Sequence, residues 1–190
     1  MYFRMNVYDF DKTIYDGDST LDFYKFCLKR HPSILFLLPK QIGSIILYKI
    51  NIINKNIFKE VFFSFLQSVP DIDEEVFCFW NEHDKKIKNW YKKQRQNNDI
   101  IVSASPEFLL EEICNRMNIK CVIATQIDRR TGKISGKNCY GEEKVNRLKK
   151  YMPDIKIHCF YSDSYSDAPV ALISEKAYLV KGDKIVRWVI

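Results

Sequence analysis

The chain is poor in the features from which many nucleotide and metal sites are built. Its 190 residues include only six glycines, and these are scattered. With no Gly-rich phosphate-cradling loop, nucleotide-driven kinase chemistry is unsupported. None of the six cysteines (Cys27, Cys78, Cys114, Cys121, Cys139 and Cys159) forms a Cys-x-x-Cys pair. The three histidines, His31, His83 and His158, are dispersed, whereas a zinc centre needs a tighter cluster. No signal peptide precedes the first strand-like run, so reduced thiols in a cytoplasmic protein are expected. The charge excess is small: 30 basic against 24 acidic residues, net +6. That balance favours anionic partners only weakly, and no nucleic-acid partner is expected from it. Uninterrupted apolar runs of about 20 residues, as a membrane span requires, are missing, as are internal repeats and low-complexity linkers. Aromatics at 14% argue against disorder. The length suits one α/β domain with a modest insertion.

The most informative stretch is Asp9-Phe10-Asp11-Lys12-Thr13. It follows Tyr2 to Tyr8, a run rich in aromatic and branched residues that reads as a strand. Two carboxylates one residue apart thus leave a strand end, where ligand sites of open α/β sheets lie. One carboxylate can attack an electrophile while the other moves a proton, and such a pair attracts a hard cation such as Mg²⁺. Asp-x-Asp is equally common as a loop turn or Asx cap, so the rest of the chain decides. Ser162-Asp163-Ser164-Tyr165-Ser166-Asp167 follows a second strand-like run, Ile155 to Tyr161. Four carboxylates at one sheet rim would repel, and a divalent cation would offset that repulsion. A third run, Asp99 to Val102, ends in Ser103-Ala104-Ser105-Pro106. Ser103 offers a hydroxyl to an anion, and Ser105 before Pro106-Glu107 reads as a helix N-cap. Gly141-Glu142-Glu143-Lys144 opens an amphipathic segment through Val145, Leu148 and Tyr151. Lys144 in its first turn opposes the helix dipole; an anionic partner and a solvated lysine are the two readings.

In this order, Asp-x-Asp-x-Thr, strand-end Ser, helix Lys and Asp-Ser-x-x-Asp resemble the haloacid dehalogenase (HAD) superfamily of phosphohydrolases over nearly the whole chain. The stretches 103–109 and 136–145 resemble its phosphoserine-phosphatase-like branch, subfamily IB. The resemblance implies a Rossmann-like parallel-sheet α/β core, residues 1–15 and 98–190, with an all-helical cap inserted at 16–97. It implies a Mg²⁺-dependent phosphomonoesterase acting on a small phosphorylated metabolite. Asp9 then matches the nucleophile, Asp11 the general acid and base, and Thr13 the residue that steadies their loop. Ser103 and Lys144 match the groups that hold phosphate, and Asp167 the acid that supports the metal or Lys144. Mg²⁺ is implied at Asp9, Asp163 and the backbone carbonyl of Asp11. Ser162 stands where Gly is common, a small-for-small replacement expected to be neutral. Phosphoryl transfer depends on positioning and charge neutralisation, which this set supplies. A catalytically silent phosphate-binding module is the non-enzymatic alternative.

The inserted segment reads as helices. Starts are expected at Asp18-Ser19-Thr20, at Asn56 and at Asp71, the last running with 3.6-residue periodicity from Ile72 to Trp90. Its aromatic stripe reads as helix–helix core, and Lys85, Lys86, Lys88, Lys92, Lys93 and Arg95 as a solvated face. Asp18 matches an acidic substrate-binding position of phosphoserine phosphatases, although capping explains it equally well. Arg30 is the one arginine of the insertion before Arg95, which counts against reading of an amino-acid carboxylate. Ser33 to Asn54 is strongly apolar but interrupted by Pro39, Lys40, Gln41, Lys49 and Asn51. A buried helix pair is favoured; the alternative is a face in weak contact with an anionic membrane. Some bacterial phosphatidylglycerophosphatases resemble this branch and carry apolar caps, which makes a lipid phosphate the alternative substrate. Turns are expected at 130–133 and 181–184. Oligomeric state is not legible.

Overall fold

Branched and aromatic residues with both faces covered form the central strands. The computed structural model describes residues 5–189, so the start of the first run, Tyr2 to Arg4, lies outside the described residues. The strands are β1 (Met5–Tyr8), β2 (Ile100–Pro106), β3 (Cys121–Thr125), β4 (Ile157–Ser162), β5 (Ser174–Lys181) and β6 (Lys184–Arg187). They make one sheet in the order β3-β2-β1-β4-β5-β6. Neighbours pair in parallel from β3 to β5, and β6 adds an antiparallel edge through the expected turn at 181–184. The chain leaves β1 toward β2 on one side and later pairs β4 on the other. That reversal opens a crevice at the carboxyl ends of β1 and β4.

Between β1 and β2 run five α-helices: α1 (Ser19–Arg30), α2 (Leu38–Lys49), α3 (Lys55–Phe63), α4 (Ile72–His83) and α5 (Asn89–Gln94). The starts of α1, α3 and α4 follow from side-chain caps. Asp18 accepts from Leu21 N–H, Asn54 from Ile57 N–H and Asp71 from Glu74 N–H. The second start therefore lies two residues before the expected Asn56. Phe23, Phe65, Phe79 and Trp80 are buried in one aromatic cluster with Phe10 and Tyr15, as the stripe predicted. Trp80 also donates its indole N–H to the Leu109 carbonyl of α6 (Glu107–Arg116), tying the inserted helices to the core.

Three expectations are corrected here. The third helix stops at His83 instead of continuing to Trp90. The chain makes a 3₁₀ turn at Asp84–Lys86, and Ile87 then bridges Tyr15 in antiparallel fashion. Lys88 N–H donates to the Ile14 carbonyl. Apolar spacing persists through this break because Ile87 and Tyr91 are buried too, so periodicity alone cannot see it. The basic face is not uniformly solvated. Lys86 pairs with Asp22 at 2.8 Å, Lys88 is buried against the carbonyls of Lys12 and Gly182, and Arg95 donates to the Met117 carbonyl. The third correction concerns 33–54, where the favoured burial fails. Leu35, Phe36, Ile42, Ile45, Ile46, Leu47, Ile50 and Ile52 are exposed, Phe36 by 88%.

On the far side of the sheet, α7 (Glu142–Tyr151) and α8 (Ala168–Leu172) cover a second core around Val7, Val102 and Phe160. No helix among the described residues is long and apolar enough to cross a membrane.

Candidate active site

Alternation along the loop after β1 turns Asp9 and Asp11 toward the crevice and sends Phe10 into the aromatic core, fully buried. Lys12 then takes a left-handed conformation (φ 58°). Its carbonyl is held by the buried Lys88 ammonium at 2.6 Å, so a cation from the inserted segment fixes the loop's unfavourable turn. Thr13 joins two loops: its Oγ1 donates to Asp9 Oδ2 at 3.3 Å and accepts from the Asp163 N–H at 2.9 Å.

Lys144 is the third residue of α7, preceded by Gly141 with φ 57°. A cation there opposes the helix dipole. Two carboxylates compensate: Nζ lies 2.7 Å from Asp9 Oδ1 and 2.7 Å from Asp167 Oδ2. All three residues are buried. Their mutual attraction holds Lys144 protonated, well above the usual lysine range. Of its two readings the anionic partner is therefore the observed one, although that partner is a pair of side chains. Ser162, expected to be a neutral replacement, donates to Asp167 Oδ2 at 2.7 Å and so helps fix this pair.

Asp11 is gripped by groups the sequence did not signal for that purpose. Ser19 N–H, at the start of α1, donates to Oδ1 at 2.7 Å, and the Ser105 hydroxyl donates to Oδ2. Thr20 Oγ1 lies 3.0 Å from Ser105 Oγ. Ser105 is thus a ligand of Asp11, and the N-cap position of α6 falls to Pro106. A bulge makes this orientation available. Val102 pairs with Ile123 and Pro106 with Thr125, so β2 takes four steps where β3 takes two. Burial pushes the Asp11 carboxyl up to about 6, with the Asp18 charge adding to the rise and the Ser105 hydrogen bond opposing it. Burial likewise raises Asp9, against the pull of Lys144, and raises Asp163.

These side chains line one cavity of about 200 Å³: Asp9, Asp11, Ser103, Lys144, Asp163 and Asp167, with Asp18 at its edge. Every expected site residue except Thr13 lines it, and Thr13 stands directly behind Asp9. Asp18 caps α1 through Oδ1, the contact its capping reading expects, and its side chain also borders the cavity. Arg30 does not reach the cavity; it pairs with Glu75 at 2.6 Å. A lysine reaches the neighbouring strand end instead. Lys59 of α3 donates to the Ala104 carbonyl at 2.8 Å and to Asn138 Oδ1 at 2.6 Å. Asn138 Oδ1 also accepts from Thr125. No motif marks Lys59; only the docking of α3 on β2 reveals it.

The donor set fits a hard divalent cation. Five carboxylates line the cavity against the ammonium groups of Lys12 and Lys144. Asp167 Oδ1 is buried without a hydrogen-bond partner. No group of three His, Cys, Asp or Glu side chains among the described residues could by itself hold a metal. Mg²⁺ does not need one, since it is held by one or two carboxylates and completes its shell with water and substrate phosphate. Asp9, Asp163 and the Asp11 carbonyl would supply that partial set.

A stretch of 88 residues is 30% identical to protein CicA of Caulobacter vibrioides, covering 43% of this chain and 40% of CicA. The chain therefore matches two-fifths of that relative's length. Among solved structures, a Bordetella pertussis Tohama I protein of unknown function superposes with a TM-score of 0.78 at 18% identity. The match covers 93% of this chain and 89% of that one. A phosphoserine phosphohydrolase-like protein from Francisella tularensis subsp. tularensis SCHU S4 gives a TM-score of 0.55 at 15% identity, covering 92% and 86%. At such identities the likeness concerns the fold. The family model for haloacid dehalogenase-like hydrolases matches residues 7–172, a span that begins inside β1, ends with α8 and takes in every residue of the cavity. The chain belongs to the haloacid dehalogenase-like hydrolases, with the fold of their phosphoserine-phosphatase-like members.

Proposed function

We propose that this protein is a Mg²⁺-dependent phosphomonoesterase that works through an aspartyl-phosphate on Asp9, with 16–97 as a helical cap over a core of 1–15 and 98–190. The observation that carries the reading is the buried Lys144 ammonium, 2.7 Å from both Asp9 and Asp167 in a cavity shared with Asp11, Ser103 and Asp163. An Asp9 carboxylate attacks phosphorus as the bond from phosphorus to the ester oxygen breaks. Asp11, protonated in part near neutral pH because burial raises it to about 6, gives its proton to the leaving alkoxide. Asp11 then takes a proton from water, whose oxygen attacks the phosphoryl group and frees Asp9. Ser103 and Lys144 hold phosphate oxygens. Asp9, Asp163 and the Asp11 carbonyl would hold a divalent ion, which would supply charge neutralisation between the two anionic reactants.

The substrate class is a small phosphorylated metabolite. Arg30 is committed to Glu75 and Arg95 to the Met117 carbonyl, which leaves no cap arginine for an amino-acid carboxylate and argues against phosphoserine. A lipid phosphate is the second reading, favoured by the exposed apolar residues of 35–52. A phosphomonoester panel that includes lipid phosphates in detergent separates the two. Turnover of p-nitrophenyl phosphate should require Mg²⁺ and vanish in EDTA. Asp9→Asn should abolish turnover and phosphoenzyme formation, and Asp11→Asn should slow turnover by about 10²–10⁴-fold. Equal rates with chelator and with Mg²⁺, or a beryllium fluoride adduct on Asp163 instead of Asp9, would refute the mechanism. Complete inactivity of the wild-type chain with Mg²⁺ present would leave the silent phosphate-binding module.

A further inference from the structure

Helix α2 is inside out. Its buried residues are polar, Gln41 at 5% exposure and Ser44 at 4%, while Ile42, Ile45 and Ile46 are 40–56% exposed. This orientation is locked by specific bonds. Gln41 Oε1 accepts from the Tyr24 hydroxyl at 2.7 Å, and Gln41 Nε2 donates to the Phe62 carbonyl at 3.0 Å. Rotating the helix to bury its isoleucines would break both bonds and leave the Phe62 carbonyl without that donor. Packing of Tyr48 on Phe58, stacked at 5.1 Å, fixes the same side against α3. The outward side extends at helical spacing through Pro39, Ile42, Ile46 and Ile50. Leu35 and Phe36 add to it from the preceding 3₁₀ turn, and Ile52 from the loop that follows. Exposed apolar surface on this scale marks an interaction site.

The charges say what kind of surface covers it. From Phe23 to Lys59 the chain carries seven Lys and Arg residues and no Asp or Glu. Lys29, Lys40 and Lys49 are exposed, the last two at opposite ends of α2. A second copy of this chain would meet the face through a self-complementary contact, bringing the same cations against one another. An anionic lipid surface takes both features: isoleucine and phenylalanine side chains enter the acyl boundary while lysines reach headgroup phosphates.

We propose that the α2 face, Leu35 to Ile52, docks this protein flat on an anionic bilayer surface without crossing it. This docking depends on the surface alone and stands or falls separately from the phosphatase reading. The experiment is flotation of the full chain with vesicles of equimolar phosphatidylcholine and phosphatidylglycerol, and with phosphatidylcholine alone. The chain should float with the anionic vesicles and at least fivefold less with the neutral ones. Phe36→Asp with Ile46→Asp, both at exposed positions, should cut the bound fraction tenfold or more. Their thermal melt and p-nitrophenyl phosphate turnover should match wild type. Lys40→Gln with Lys49→Gln should weaken anionic binding by about fivefold per charge removed. Absence of wild-type flotation, or flotation unchanged in either double variant, would overturn the proposal. So would a dimer seen by light scattering that the aspartate substitutions dissociate while vesicles leave it intact.

Discussion

Lys59 shows how one side chain of the inserted helices can link folding to pH. Its amine is held by the Ala104 carbonyl and Asn138. Burial pushes it down to about 8, with the Lys55 charge adding to the effect and Asp11 and Asp18 opposing it. An unfolded lysine titrates near 10.4. Between these values the unfolded chain binds the proton and the folded chain does not, so stability rises with pH across that window. Below pH 8 the full cost of burying the charged amine is present. Relative to Lys59→Met, the wild-type chain should gain on the order of 1–3 kcal/mol between about pH 8 and pH 10 in urea unfolding. A difference that stays flat with pH would show that the amine is solvated. Ser105 and Ser162 belong to the same scale. Both are short hydroxyls at strand ends that fix a carboxylate, Asp11 in one case and Asp167 in the other.

At the scale of elements, the turn at 130–133 does more than reverse the chain. Asp128 Oδ1 accepts from the backbone N–H groups of Arg130 and Thr131, and Ile127 bridges Ile134 across the turn. The turn then meets the inserted helices: Gln67 donates to the Thr131 carbonyl, and Ile134 N–H donates to Glu60. Gly132 makes this approach feasible. Its φ is +74°, and a Cβ there would lie 2.3 Å from the Phe63 carbonyl oxygen. Both the backbone conformation and the space exclude a side chain. Gly132→Ala should destabilise the protein by about 2–4 kcal/mol in urea or thermal unfolding. Gly136→Ala, where a Cβ meets nothing within 4 Å, should cost less, since only the backbone penalty at φ +83° applies. Equal losses in the two variants would refute the packing argument.

For the whole molecule, the proposed metal would tie folding to the cavity's excess of carboxylate. Asp9 and Asp11 are buried, and burial raises both. A cation that binds only the folded chain should therefore stabilise it. At Mg²⁺ about 100-fold above the dissociation constant, the gain should be about 2.7 kcal/mol. For a chain of this length that is a rise in melting temperature of roughly 5–10 °C. Asp163→Asn should lose most of the rise, and an exposed control such as Lys93→Gln should keep it. An unchanged rise in Asp163→Asn would place the metal elsewhere. The inserted helices are bound to the core by aromatic packing and by Trp80, so the metal term should appear as one cooperative transition.

The sequence by itself determined which side chains line the cavity at the sheet rim. Asp9, Asp11, Ser103, Lys144, Asp163 and Asp167 were legible because each stands at a strand end or helix start marked by local pattern, and a parallel sheet gathers such ends on one rim. The strand-like runs Asp99 to Val102 and Ile155 to Tyr161, the helical segment opened at Gly141 and the caps at Asp18 and Asp71 were legible for the same local reason. The tertiary structure alone decided which groups hold those carboxylates. Ser105, Lys59 and Lys88 act on partners between 45 and 94 residues away, and no local spacing encodes such pairs. It also decided where the third helix stops, because a bridge from Ile87 to Tyr15 competes with helical bonds. Above all it decided which way α2 faces. Hydropathy counts apolar residues and predicts their burial, but two hydrogen bonds from Gln41 to distant partners turn the isoleucines outward.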